Sequence, residues 1–166
     1  ASVRDIFHDT NRQLARLDSD EVIVIFGCSH ATALESFRNS KTATVTLPCI
    51  GQLPPSFIDY LCRRQNVSGV LLTGCGSGDC YHRSGNQWVD ERIRDARQPH
   101  VRHSDVRARV ATVWSGAGGE LDIERKLLKM RSAMGAERGT KASAKAGPSD
   151  TSVSLTNRQR AGTDAK

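Results

Sequence analysis

Long apolar runs are missing from this chain, and so are an initiator methionine, an even number of cysteines and any internal repeat. No stretch approaches the ~18 apolar residues of a membrane-spanning helix, which excludes that architecture. The first fifteen residues carry Asp5 and Asp9 and have no apolar h-region, so they do not read as a secretory signal. A cytoplasmic location follows as the expectation, free or at the cytoplasmic face of a membrane complex. The start at Ala1 is read as a processed product or as a piece of a longer polypeptide, with a fused domain then among its partners. Five cysteines, an odd number, argue against a disulfide framework. Aromatic residues make up only 5% of the chain and do not interleave with its basic residues. Nucleic acid is therefore excluded as a partner despite a formal charge of +6.

What is present suits one soluble domain, since 166 residues suffice for a proper core. Ser2 to Leu17 has the spacing of an amphipathic helix, with Ser2 as its cap and His8 as a surface or packing residue. Three apolar runs then read as strands: Val22 to Phe26, Ala43 to Leu47 and Gly69 to Thr73. The first is apolar throughout, as a strand covered on both faces should be. The Thr-rich second belongs nearer an edge. Between and after them, helices are expected at Ala31 to Phe37, Ser56 to Arg64 with Ser56 as cap, Asn86 to Ala96 and Glu120 to Met134. A fourth strand is expected at Ala108 to Trp114. This alternation predicts an α/β fold, a small and mainly parallel sheet with flanking helices in βαβ units.

Three of the expected strands are each followed by a cysteine: Cys28, Cys49 and Cys75. In parallel sheets, ligands sit at the carboxyl ends of strands, so these thiols should converge there. Cys75 belongs to the stretch Thr73-Gly74-Cys75-Gly76-Ser77-Gly78-Asp79-Cys80, whose glycines let the backbone fold tightly around a bulky or anionic group. With Cys80 the edge would hold four thiolates, the number an iron-sulfur cluster takes. A structural zinc ion also takes four. Cys75 could instead be the nucleophile of a thiol redox or sulfur-transfer enzyme. A phosphatase loop, however, needs Arg six residues after the nucleophile, and Tyr81 stands there. Cys62 falls mid-helix on an apolar face and reads as a buried structural thiol.

The segment Val70 to His82 followed by Gly85-Asn86, together with the upstream Pro48-Cys49-Ile50-Gly51-Gln52-Leu53-Pro54-Pro55-Ser56-Phe57, resembles the small delta subunit of methyl-viologen-reducing hydrogenase, the hydrogenase iron-sulfur subunit. The resemblance covers about Val22 to Met134. It implies a 2Fe-2S cluster on Cys28, Cys49, Cys75 and Cys80. It also implies an electron relay between a hydrogenase or dehydrogenase module and a flavin-bearing, heterodisulfide-reductase-like partner. Where the family has C-x-x-C, this chain keeps only Cys28, so Cys62 or His30 is a candidate substitute ligand. Ser77, Tyr81 and His82 are candidates to touch the cluster sulfurs or tune them. Catalytic residues are not expected in such a carrier.

The organisation expected is then 1–20 as an amphipathic helix and linker, 21–134 as the iron-sulfur domain and 135–166 as a disordered tail. The basic stretch with Arg92, Arg94, Arg97, Arg102, Arg107 and Arg109 reads as a solvated face, or as a docking surface for an acidic subunit or anionic lipid.

Overall fold

In the computed structural model, which describes residues 2–145, the apolar run becomes the central strand β1 (Val22–Cys28), buried at every position. It is flanked by β2 (Thr42–Leu47) on one side and by β3 (Val67–Thr73) on the other, and β4 (Val110–Val113) pairs beyond β3. All three pairings are parallel, giving the order β2-β1-β3-β4. The expected α/β fold with a parallel sheet is the one observed. The chain leaves β1 toward β2 and returns to the opposite side with β3. The direction of winding therefore reverses between β1 and β3, and a crevice opens at their carboxyl ends.

Side-chain alternation along β1 divides the core into two layers. Val22, Val24 and Phe26 pack with Ile6 and Leu14 of α1 (Val3–Leu14), and with Phe57, Ile58 and Leu61 of α2 (Pro55–Cys62). Ile23 and Ile25 face the other way, toward Leu34, Phe37 and Ile123. Each fully buried side chain of this size contributes about 1.5–3 kcal/mol of transfer free energy. The second layer is closed by α5 (Glu120–Lys145), and the first is completed by α3 (Gly85–Ile93) and the short α4 (Ser104–Ala108).

Several boundaries differ from the sequence expectation for identifiable reasons. The segment 31–37 forms only a single 3₁₀ turn at Glu35–Phe37. Thr32 is instead bound to the loop after β4, where its Oγ1 donates to Gly116 O at 2.7 Å and accepts from Gly119 N at 2.9 Å. Ser56 does not cap α2, because Pro54 holds the cap position and Pro55, which needs no amide partner, opens the helix. The last helix runs past Met134 to Lys145, so 135–145 is helical where a disordered tail was expected. The remainder of that expected tail, 146–166, lies outside the described residues. Among those described, no helix is long and apolar enough to cross a membrane.

The N-terminal helix has a structural task that its amphipathic pattern did not reveal. Gln13 Nε2 donates to Thr44 O at 2.9 Å, and Thr44 N donates to Gln13 Oε1 at 3.1 Å. One side-chain amide thus takes the place of a neighbouring strand along the outer edge of β2, blunting an edge open to mispairing.

Candidate metal centre

Each of three strands delivers a thiol to the crevice. Cys28 is the last residue of β1, Cys49 lies two residues beyond β2, and Cys75 lies two beyond β3. All three are buried, while Cys80, on the loop to α3, is partly exposed. Cys75 Sγ is 3.8 Å from Cys28 Sγ. The other two thiols meet across Gly85, where a Cβ would lie 2.5 Å from Cys49 Sγ and 3.4 Å from Cys80 Sγ. The pairs are not independent: Cys49 helps to raise the Cys28 thiol, Cys80 and Cys75 help to raise Cys49, and Cys75 helps to hold Cys80 down. Four sulfurs therefore share one crevice, two by two. Among the described residues, no three His, Cys, Asp or Glu side chains form a group placed to hold a single metal ion.

Backbone amides surround these sulfurs. Burial raises the Cys28 thiol to about 11, opposed by the His30 amide and reinforced by Cys75 and Cys49. Burial likewise raises Cys49 against the Gly51 amide, with Cys80 and Cys75 adding to the rise. At Cys80, burial is outweighed by the amides of Asn86, Gly85 and His82, and the thiol is held below its ordinary value. The Gly85 amide lies 3.2 Å from Cys80 Sγ. Cys80 thus sits at the positive end of α3, where a thiolate is favoured.

The loops are pinned together by three side chains. Asn86 Nδ2 donates to the carbonyls of Cys75 and Gly76 at 3.4 and 3.2 Å, which ties α3 to the glycine loop. Trp114 packs over Gly74, where a Cβ would approach its ring at 3.2 Å, and its Nε1 donates to Asp90 Oδ2 at 2.8 Å. Arg92 Nη1 donates to Gly51 O at 2.9 Å in the loop that follows Cys49. The Gly85-Asn86 pair was visible as a motif. Trp114 carried no local signal, and Arg92 was read only as one of the basic stretch.

The other candidates fall elsewhere. Cys62 is buried in α2 among core residues, raised to about 11 by burial, with Arg109, Asp59 and Asp105 rather than the other cysteines as its charged neighbours. His30, Tyr81 and His82 form an exposed group of rings beside the crevice, His30 and Tyr81 stacked with centroids 3.8 Å apart. Ser77 is exposed on the glycine loop, and His82 meets Cys80 through its backbone amide. The basic stretch is not one solvated face. Arg109 turns inward to donate to the carbonyls of Cys62, Val67 and Ser68, and Arg107 donates to Val101 O at 2.8 Å.

The family described as methyl-viologen-reducing hydrogenase, delta subunit, matches residues 23–134, from the second position of β1 through the core-facing part of α5. The chain belongs to this family. Its members are hydrogenase-associated electron-transfer subunits that work with other redox subunits. The matched region contains every cysteine and every residue that pins the crevice.

Proposed function

We propose that Cys28, Cys49, Cys75 and Cys80 hold a 2Fe-2S cluster, through which the protein relays electrons between a hydrogenase or dehydrogenase module and a flavin-bearing, heterodisulfide-reductase-like partner in the cytoplasm. The observation that carries this reading is the meeting of four thiols, in two pairs, at the point where the sheet reverses its winding. The donor set fits: four soft sulfurs satisfy the ligand count of a 2Fe-2S centre. Amides from His30, Gly51, His82, Gly85 and Asn86 point at three of them. Such N–H···S bonds stabilise negative charge on sulfur and set its potential.

When bound, the cluster supplies a one-electron carrier. The chain supplies the rest. Cys28 and Cys75 anchor it to the two central strands, whose buried side chains limit reorganisation. Cys80 and the neighbouring rings of His30 and Tyr81 bring the crevice to the surface, where a partner can approach. Neither a general base nor a nucleophile is required.

Counting metal on anaerobically purified, cluster-reconstituted protein tests the reading. The expected result is about two irons and two acid-labile sulfides per chain. About one zinc and no sulfide would make the site structural, and a metal-free chain with a reactive Cys75 would make it a thiol enzyme.

A further inference from the structure

We infer that Arg92 is a positioning residue of the thiol site, holding the Cys49 loop in place and supplying a positive charge that favours the reduced state; this rests on the 2Fe-2S reading given above. Arg92 is half-buried, and its stem lies in a crevice with Leu53, Ile58, Leu72 and Val89. Its Nε is buried and has no hydrogen-bond partner among the described residues. Nor does any carboxylate among them form an ion pair with it, whereas Arg94 pairs with Asp90 and Arg97 with Glu91. Its positive charge is thus not neutralised by a neighbouring carboxylate.

The hydrogen bond that Arg92 does make leads to the thiol site. Gly51, whose carbonyl Arg92 holds, donates its own N–H to Cys49. Helix α3, which carries Arg92, also begins with the amides that meet Cys80. Gly85 and Arg92 are two turns apart on one helix face, about 10 Å along the axis. One rigid element therefore grips Cys80 at its start and the Cys49 loop near its end. Adding an electron makes the site more negative, and the Arg92 charge lowers the cost of that addition.

The test compares the full-length, cluster-loaded protein with Arg92→Met and Arg92→Lys in a reductive titration. Arg92→Met is expected to weaken reduction about tenfold, a negative shift of 59 mV for a one-electron couple, with Arg92→Lys staying near wild type. A second measurement needs no cluster: amide hydrogen exchange of the reduced, metal-free chain, read peptide by peptide. There Arg92→Met should speed exchange in the Cys49 to Gln52 loop about tenfold, the effect of losing one charge-assisted hydrogen bond, with the β1 peptide unchanged as internal reference. An unchanged potential in a fully loaded Met variant, a Lys variant shifted as far as Met, or exchange in that loop no faster than wild type overturns the inference. Should Arg92→Met fail to take up cluster, the exchange decides. A wild-type chain that never binds iron and sulfide instead overturns the functional reading, and the exchange still reports on Arg92.

Discussion

Gly85→Ala is expected to abolish stable cluster binding while leaving the sheet folded. A methyl group there would enter the space between two sulfurs, 2.5 Å from Cys49 Sγ, with the backbone of Gly51 at 3.7 Å behind it. Neither Cys49 nor the start of α3 can move away freely, because Arg92 ties the Cys49 loop to the same helix and Asn86 ties that helix to Cys75 and Gly76. Overpacking of this kind costs about 1–3 kcal/mol, too little to unfold a domain whose central strands are wholly buried. The strain falls on the pair Cys49 and Cys80, which must both reach the same centre. Iron retention should fall by about 10–100-fold, the range seen when the surroundings of metal ligands are disturbed. Far-UV circular dichroism close to wild type, together with iron and sulfide contents near zero after desalting, is the expected pair of results. A Gly85→Ala protein with full iron content would show that the crevice does not close on the cluster between these thiols.

Cysteine substitutions should divide into two groups of very different effect. Cys75→Ser or Cys80→Ser replaces a soft thiolate by a poorly ligating hydroxyl and should leave the protein unable to retain iron and sulfide. Cys62→Ala should leave both contents at the wild-type level, because that thiol packs in the α2 core and its electrostatic neighbours are Arg109, Asp59 and Asp105. The Ala variant should lose only about 1 kcal/mol of stability, as a small buried group is deleted. Thermal melts and metal analysis on the same preparations separate the two groups. Loss of cluster from Cys62→Ala with retention in Cys75→Ser would reassign the ligands.

The strands and the placement of the cysteines were legible because they depend on local pattern. The continuously apolar Val22 to Phe26 could only be a covered strand, and parallel βαβ order sends each following residue to one edge. Gly85 was legible only as half of a motif, since its contribution is the absence of volume where two distant thiols approach. Arg92, Trp114 and Thr32 were not legible, because each acts on a segment 24 or more residues away in the chain. The same holds for Gln13, whose polar side chain suits a solvated helix face in sequence yet completes the edge of β2. Composition misdirected the reading of the basic stretch for a related reason. Charge counts cannot tell Arg94, which is exposed, from Arg109, which binds carbonyls at the end of α2 and the start of β3.

The central claim, four thiols holding a one-electron iron-sulfur centre, is tested most directly by EPR of the anaerobically prepared, reconstituted protein before and after dithionite. The account predicts no signal from the oxidised protein and an S = 1/2 signal of about one spin per chain on reduction. A colourless protein that remains EPR-silent on reduction would contradict it.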